Sequence, residues 1–271
     1  MTEEEALEVS KIYSVCGLIR PGVGLMLERP FRAPHHSISP AALVGGGAGE
    51  PRPGEATLAH RGVLFLDEAA EFRRDALEAL REPIESGLVR LVRSGGGLAF
   101  PARFMLVLGA NPCPCGNLGD PVKPCTCTSR ALASYRGRLS GPILDRIDLH
   151  VEVKRLAFGE LGAGGGRRSD EMRERVVQAR ARAGERLRRY GLTCNAEMGR
   201  QHLSALVRLS ARCELMLAVA FERLGLSARG YDRILKVART IADLDGSDEV
   251  GEAHLAEAIQ YRSLDRVSSY G

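Results

Sequence analysis

The chain has 271 residues, of which 44% are hydrophobic and 27% charged, values typical of a globular protein with one large domain or two modest ones. It contains no run of about 18 apolar residues, so no membrane-spanning helix is expected. The acidic start MTEEEALEVS is unlike a signal peptide, which predicts a cytoplasmic location. The net charge of +4 neither demands nor excludes a nucleic-acid partner.

The first third of the chain predicts strands that alternate with helices. Residues 5–13 have a helical pattern, and residues 29–60, rich in Pro, Gly and His, are expected to be mostly loop. The following run, GVLFLDE, is typical of a buried parallel strand that ends in two acids. An amphipathic helix is predicted over 73–86, because apolar residues recur on one face.

The middle of the chain adds further strands. GLVRLVRSGGGLAFPARF predicts a hairpin of two short strands around a glycine turn, and FMLVLGAN a second buried strand. After a cysteine-rich loop, LSGPILDRIDLHVEV predicts a helical turn and then a third strand at about 149–153. Together these segments predict an α/β domain over residues 1–155.

The composition then changes, and GELGAGGGRRS indicates a linker, which we place at 156–169. The remaining residues, 170–271, predict an all-helical domain. Ser227 is expected to cap one of its helices, and Gly246 to end the same helix. The individual helices are predicted at 169–190, 199–208, 210–223, 227–244 and 251–262.

Polar side chains follow the two buried strands. Asp67 and Glu68 come directly after the first, where a carboxylate can hold Mg²⁺ and another can orient water for attack on a γ-phosphate. The alternative is that both acids only favour the start of the next helix. Asn111 follows the second strand and could sense the same phosphate, although an Asn before a proline is also a common turn former.

Several motifs in the correct order carry a resemblance. GVLFLDEAAEF resembles a Walker B strand, and ESGLVRLVRSGGGLAFPARFMLVLGANPCPCG resembles the pre-sensor hairpin and sensor 1 strand of magnesium chelatases and MCM helicases. RPFRAPHHSISPAALVGGG and PGEATLAHRG are similar to the ComM/YifB group of magnesium-chelatase-like AAA+ ATPases. The resemblance extends from about residue 2 to about residue 265.

This resemblance implies an AAA+ P-loop NTPase core followed by a helical lid domain, and a hexameric ring that uses ATP and Mg²⁺. It assigns Mg²⁺ to Asp67, activation of water to Glu68 and the sensor 1 position to Asn111. Arg146, in LSGPILDRID, takes the place of the arginine finger. Without the family context, an ion pair of Arg146 with Asp145 or Asp148 would be the simpler interpretation.

Other arginines receive roles in the same way. Arg229 matches the sensor 2 arginine of the lid, and Arg233 lies four residues on as a second candidate on the same helical face. Arg90 and Arg93 lie on the hairpin that related helicases use to grip DNA, where a guanidinium suits a phosphate. The alternatives are an exposed basic helix and a hairpin whose charges keep an edge strand soluble.

Four cysteines form two C-x-C pairs, and in a cytoplasmic protein such a group favours a metal over disulfides. Four thiolates can close a structural Zn²⁺ site, which would brace the loop after Asn111. Free thiols in a Gly/Pro loop are the alternative, and C-x-C is a tighter spacing than the usual C-x₂-C. His35 and His36, which lie in a loop far in sequence from the cysteines, receive no role. The four cysteines are Cys113, Cys115, Cys125 and Cys127.

The sequence contains no G-x-x-x-x-G-K-[ST] phosphate-binding loop, which an ATPase of this kind requires. In the family that loop precedes the segment that TEEEALEVSKIYS resembles, so the chain is expected to begin just after it, with the first strand of the sheet missing.

The sequence leaves three alternative functions open. The first is part of a Mg-ATP-driven motor that acts on DNA in branch migration, inactive by itself. The others are a magnesium-chelatase motor subunit and a non-catalytic, zinc-braced module that binds DNA or partner subunits.

Overall fold

A computed structural model gives two compact units, Met1–Arg146 and Ile147–Gly271. Most of the predicted linker, 156–165, lies outside the described residues, so the predicted domain boundaries stay predictions. The structure describes residues 1–19, 22, 24–47, 51–93, 96–139, 141–153, 155 and 166–262.

The first unit mixes short strands and helices, as the α/β prediction requires. Its first helix begins at a capping box in which Thr2 and Glu5 exchange hydrogen bonds with each other's backbone amides. The elements of the unit are α1 (Glu3–Val15), β1 (Phe31–Arg32), α2 (Pro40–Val44), β2 (Gly45–Gly46), β3 (Arg52–Pro53), α3 (Glu55–Leu58), β4 (Val63–Leu66), α4 (Arg74–Ala79), α5 (Arg81–Ser86), β5 (Leu88–Arg93), β6 (Gly96–Pro101), β7 (Met105–Leu108), α6 (Ser129–Arg138) and α7 (Gly141–Leu144).

A small parallel sheet organises this unit. Its strand order is β1-β4-β7, and both pairs are parallel. Side chains alternate between the two faces, so Leu64 and Leu66 are completely buried in the core on one face. On the other face Phe31 and Met105 are each 64% exposed. The core of this unit therefore covers only one side of its sheet.

Two predicted strands also form the expected hairpin. β5 pairs antiparallel with β6, from Leu88 opposite Pro101 to Arg93 opposite Gly96. The strands predicted from GVLFLDE and FMLVLGAN are β4 and β7, and they pair in parallel. The expectation that the second strand is buried is wrong, because Met105 and Val107 on its outer face are 64% and 38% exposed.

The helix predicted over 73–86 is wrong as a single helix, because it consists of α4 and α5 with a break at Leu80. Pro83 explains the break. Proline has no amide hydrogen to donate to the carbonyl of Ala79, and its ring crowds that same carbonyl. The amphipathic pattern nevertheless identified the buried side, since Leu77 and Leu80 are each 1% exposed.

The strand predicted at 149–153 is also wrong, since the structure assigns no strand there. Val151 and Val153 are 68% and 89% exposed, and the His150 amide donates to the Tyr261 carbonyl rather than to a strand. An apolar alternation becomes a strand only where another strand offers it hydrogen bonds. The third strand of the sheet is instead β1, in the stretch expected to be loop, and α6 was not anticipated.

The second unit is built from helices, in good agreement with the predicted segments. Ser227 caps α11 by accepting from the Gly230 amide, and Gly246 has a positive φ of 73° just beyond the end of that helix. Apolar residues from all the helices share one core. The helices are α8 (Ser169–Leu187), α9 (Arg200–Leu206), α10 (Ala211–Leu224), α11 (Ala228–Leu244) and α12 (Glu252–Gln260).

Candidate functional site

Asp67 and Glu68 follow β4 at its carboxyl end, beside the end of β7. Glu68 has left-handed backbone angles, φ 51° and ψ 43°, an uncommon conformation for a residue other than glycine. Its amide donates to Asp67 Oδ1 at 2.9 Å, and the Ala69 amide donates to the Gly109 carbonyl at 2.7 Å. Backbone hydrogen bonds from two adjacent strands therefore fix the turn that carries both acids.

Gly109 leaves the space that Asp67 occupies. A Cβ atom on Gly109 would lie 2.9 Å from Asp67 Oδ1, closer than real Cβ contacts allow. The absent side chain thus lets the carboxylate lie against the chain at the end of β7. Carboxylate oxygens are the ligands that Mg²⁺ prefers, so Asp67 has suitable chemistry for that ion.

Asn111 lies three residues beyond the end of β7, on the same edge of the sheet as Asp67 and Glu68. Its side chain is exposed, and its carbonyl accepts a hydrogen bond from the Tyr135 hydroxyl at 3.2 Å. The structure therefore brings these three predicted residues to the carboxyl ends of two neighbouring strands, the usual place for a ligand in an open α/β sheet.

A fourth side chain reaches this edge without having been predicted. His36 Nδ1 lies 3.1 Å from Glu68 Oε2, and the His36 ring stands edge-on to Phe72 at 6.4 Å. The sequence signal was the HHS segment, to which we could attach no role. Nothing in the sequence pairs residues 36 and 68, because that pairing depends on the alignment of β1 with β4.

Arg146 is almost buried in the first unit. Its Nη2 lies 2.7 Å from Glu85 Oε1 of α5, and its Nη1 donates to the Pro142 carbonyl at 2.6 Å. The sequence suggested Asp145 or Asp148 as the simple ion-pair partner. Asp148 instead pairs with Arg233 at 3.0 Å within the second unit. The candidate arginine finger is thus held by an acid that sequence spacing did not indicate.

The lid candidates differ in their exposure. Arg229, in the first turn of α11, is exposed, whereas only 15% of the Arg233 side chain is exposed because it is folded against Asp148. Within the second unit, the ion pair with Asp148 fixes Arg233 to the chain that precedes α8.

The hairpin candidates also differ. Arg90 is paired with Ala99 across the hairpin, and its guanidinium lies 2.6 Å from Glu82 of α5, with about half of each side chain exposed. The side chain of Arg93 lies outside the described part of the structure. An exposed pair of this kind stabilises the fold little, and it leaves the Arg90 guanidinium available to a phosphate.

The four predicted metal-binding cysteines come together. Their sulfur atoms all lie within 4.8 Å of one another, and Cys113 is completely buried. The Cys113–Cys115, Cys115–Cys125 and Cys113–Cys125 sulfur distances are 3.4, 3.6 and 3.7 Å. A zinc–sulfur bond of about 2.3 Å gives a tetrahedron with edges of about 3.8 Å, so the donor set fits Zn²⁺.

The thiols of this cluster differ in their pKa. Backbone amides of Asn117 and Thr126 donate to Cys115 and lower its pKa to about 5, and the Cys113 thiol adds to this. At Cys127 the amide of Cys115 lowers the pKa, but desolvation and the neighbouring sulfurs outweigh it and raise the pKa to about 12. The loop bends at Gly116 and Gly119, which have φ of 76° and 85°.

The helix after the cysteines connects them to the acidic edge. Thr128 caps α6, whose Tyr135 donates to the Asn111 carbonyl at 3.2 Å. Near the other end of α6, Arg138 lies 2.7 Å from Glu71, which belongs to the 3-10 turn directly after Glu68. The cysteine loop and α6 together therefore join the two segments that carry the candidate phosphate-sensing and water-activating residues.

Comparisons with known proteins match nearly the whole chain. Residues 1–161 match the family model described as magnesium chelatase, subunit ChlI, and residues 166–262 match the model for the C-terminal part of that subunit. In the described ranges, no helix is both long and apolar enough to cross a membrane.

Three relatives illustrate the similarity. An uncharacterized protein of Mycobacterium tuberculosis is 47% identical over 262 residues, covering 97% of this chain and 52% of the relative. Competence protein ComM of Haemophilus influenzae is 43% identical over 271 residues, covering 98% and 51%. The protein YifB of Escherichia coli is 43% identical over 270 residues, covering 98% and 52%. The chain thus spans about half the length of these relatives.

Proposed function

This chain belongs to the magnesium-chelatase family, and within it to the ComM/YifB type, and from that premise we propose that it serves in a Mg-ATP-driven AAA+ motor that acts on DNA. The observation that carries the proposal is the fixed acidic turn, Asp67 and Glu68, at the carboxyl edge of a parallel sheet beside Asn111. The competence protein among its relatives favours DNA as the object of the motor.

The residues at this edge have separate tasks in the proposal. Asp67, whose carboxylate lies beside Gly109, would hold the Mg²⁺ that compensates the charge of the phosphates. Glu68 orients a water molecule towards the γ-phosphorus and accepts its proton as the new P–O bond forms and the bond to the ADP oxygen breaks. Asn111 donates a hydrogen bond to the γ-phosphate from the neighbouring strand end.

Arginines complete the proposed site in a hexameric ring. Arg146 stabilises the charge that develops on the phosphoryl group bound by a neighbouring subunit, after exchanging Glu85 for the phosphate. Arg229 at the start of α11 contacts the nucleotide from the lid, and Arg233 positions that helix through Asp148. These roles follow the family pattern and the positions of the three residues in their own units.

We also propose that the printed chain does not hydrolyse ATP by itself, because its sequence lacks the phosphate-binding loop and the lysine within it. Calorimetry with Mg-ATP should detect no binding to this chain, whereas a longer form that carries the phosphate-binding loop should bind and hydrolyse ATP. In that longer form, Glu68→Gln should abolish turnover while retaining nucleotide binding. Turnover by this chain would contradict the inactive state, and a longer form without turnover would contradict the motor itself.

The proposed DNA binding can be tested by a substitution in the hairpin of β5 and β6. Arg90→Ala should weaken binding of a labelled duplex and reduce the slope of affinity against salt by about one, the signature of one lost phosphate contact. Arg73→Ala is the matched control, because Arg73 is also exposed and ion-paired but lies outside the hairpin. Equal effects of both substitutions would contradict a role for the hairpin.

The main alternative is a chelatase motor subunit, which the description of the family models favours. Such a motor would not need DNA, so a form that carries the phosphate-binding loop should show the same ATP turnover with and without duplex or branched DNA. A DNA-dependent increase in turnover would contradict this alternative. The non-catalytic module predicts DNA or partner binding with no nucleotide binding even by that longer form.

We further propose that the four cysteines hold one Zn²⁺, because their sulfurs have the spacing of a tetrahedral site. Elemental analysis of protein purified under reducing conditions should find about one zinc per chain. Cys125→Ser should lose the metal and accelerate hydrogen exchange in α6, whereas Cys16→Ser, outside the cluster, should change neither. Wild-type protein without metal would contradict the proposal.

A further inference from the structure

We propose that His36 is a positioning residue for Glu68: it holds one carboxylate oxygen so that the other faces the attacking water. The inference rests on the proposed function, because it takes Glu68 to be the residue that orients water. It goes beyond that function by giving a task to the HHS segment, which none of the roles assigned above uses.

The alignment of β1 with β4 is what brings the two residues together. The parallel register pairs Phe31 with Val63 and Arg32 with Leu64, an offset of thirty-two residues. The same offset aligns His36 with Glu68, two positions beyond the carboxyl end of β4. Pro34 favours an extended chain before it, which carries the backbone past the strand end in the direction of the acidic turn.

Aromatic contacts hold the His36 ring in place. The ring of His35 lies 4.0 Å from that of His36, with 35° between their planes. The His36 ring also makes an edge contact with the ring of Phe72. Phe72 is itself 3% exposed and belongs to the core. His35 is engaged separately, since its Nδ1 lies 2.8 Å from the Ser37 hydroxyl. The His36 ring therefore has support on two sides, and only one third of its side chain is exposed.

The turn after β4 restrains the backbone of Glu68. Its backbone is fixed in the left-handed region, and its amide is engaged by Asp67. The side chain is 58% exposed, so without a partner it would sample several rotamers. The hydrogen bond from His36 Nδ1 to Oε2 selects one orientation and leaves Oε1 free. A carboxylate oriented in advance loses less entropy when it engages water in the transition state.

The protonated nitrogen of the His36 ring gives a direct test on this chain. A carboxylate accepts only, so neutral His36 must carry its proton on Nδ1, whereas an unconstrained histidine prefers Nε2. Long-range ¹H–¹⁵N spectra at alkaline pH should show the Nδ1–H tautomer for His36 in the wild type. In Glu68→Ala the ring should revert to Nε2–H, while Glu71→Ala should leave it unchanged. An Nε2–H tautomer in the wild type would overturn the assignment.

Kinetics of a longer form that carries the phosphate-binding loop supply the functional test. His36→Ala should lower kcat about tenfold with little change in KM, a modest part of what an oriented general base contributes. Thermal stability should change little, because a single hydrogen bond near the surface contributes only about 1 kcal/mol or less. His36→Asn, which keeps a donor near the Nδ1 position, should restore most of kcat. Asp170→Ala, which changes an exposed acid of the second unit, is the control and should leave kcat within about twofold.

The outcomes separate the two proposals. If the longer form that carries the phosphate-binding loop shows no ATP turnover with His36 in place, the proposed function itself is contradicted. Turnover that His36→Ala leaves unchanged overturns the role of His36 alone, and so does a loss that His36→Asn fails to restore.

Discussion

The two units of this protein are stabilised in different ways. In the second unit, helices enclose one core, and a buried network lies beside it, in which Asp243 accepts from Arg186, Arg239 and Asn195. In the first unit, the core covers one face of a small sheet, and close backbone approaches set the strand positions. A Cβ on Gly62, for example, would lie 1.9 Å from the Pro30 carbonyl oxygen.

Because of this difference, the two units should be destabilised by different kinds of substitution. The second unit should respond most to the loss of a buried polar partner, because the remaining charges would stay buried without compensation. The first unit should respond most to added atoms between its strands, because a strand that moves carries its whole register with it. Four predictions test this contrast, in order of decreasing effect on the free energy of unfolding.

Asp243→Ala should have the largest effect, about 3–5 kcal/mol, because it leaves the guanidinium groups of Arg186 and Arg239 without their shared carboxylate. Asp243 and Arg239 have side chains only 2% and 1% exposed. Hydrogen exchange should increase in peptides of α8 and α11 and not in those of β4 and β7. Asp170→Ala, an exposed acid on α8, is the control and should change stability by about 0.5 kcal/mol or less. Equal effects of the two substitutions would contradict the network.

Gly62→Ala should destabilise the first unit by about 1–3 kcal/mol, because the new methyl group meets backbone atoms of Pro30 that cannot move without displacing β1. Faster hydrogen exchange should be confined to the sheet, leaving α8–α12 unchanged. At Gly97 a Cβ would meet no atom within 4 Å, so Gly97→Ala is the matched control. A Gly62→Ala protein as stable as this control would contradict the close approach of β1 to β4.

Acid should weaken the first unit through His60, whose side chain is only 3% exposed. Desolvation lowers its pKa below the usual 6.5, and Nδ1 accepts from the Arg103 amide, which requires an unprotonated nitrogen. Between the folded and unfolded pKa values the unfolded state binds more protons, so stability falls as pH drops below about 6.5, with a limiting slope of about 1.4 kcal/mol per pH unit.

Calorimetric scans between pH 7.5 and pH 5 test this effect. In His60→Asn, which keeps an acceptor but does not titrate, the unfolding transition of the first unit should depend less on pH than in the wild type. The lowered pKa of Glu8, caused first by its hydrogen bond from Arg61, adds a further loss only at lower pH, as that carboxylate is protonated. The same pH dependence in the variant and the wild type would rule out His60 as the cause.

Gly184→Ala should have the smallest effect and the opposite sign. Gly184 lies inside α8, where a Cβ would meet no atom within 4 Å, so alanine should stabilise the second unit by about 0.5–1 kcal/mol through its higher helix propensity. Slower exchange of α8 amides would support this, and destabilisation would show that the helix surface there is packed. Together with Gly62→Ala, it tests whether the same substitution changes sign between the two units.

The amino-acid sequence by itself determined the features that depend on neighbouring residues. Helical periodicity and Ser227 located α11, the apolar runs located β4 and β7, and the acids at 67 and 68 were found from their place after a strand. The cysteine spacing predicted that four sulfurs come together, and they lie within 4.8 Å of one another. These signals are local, because periods, caps and short motifs involve residues only a few positions apart.

The tertiary structure alone decided the pairings between distant residues. The alignment of β1 with β4 brought His36 to Glu68, the packing of α5 gave Arg146 the partner Glu85, and the fold of the second unit gave Arg233 the partner Asp148. It also left 149–153 without a strand to pair with. Such contacts depend on which segments lie side by side in space, and a local pattern contains no information about that choice.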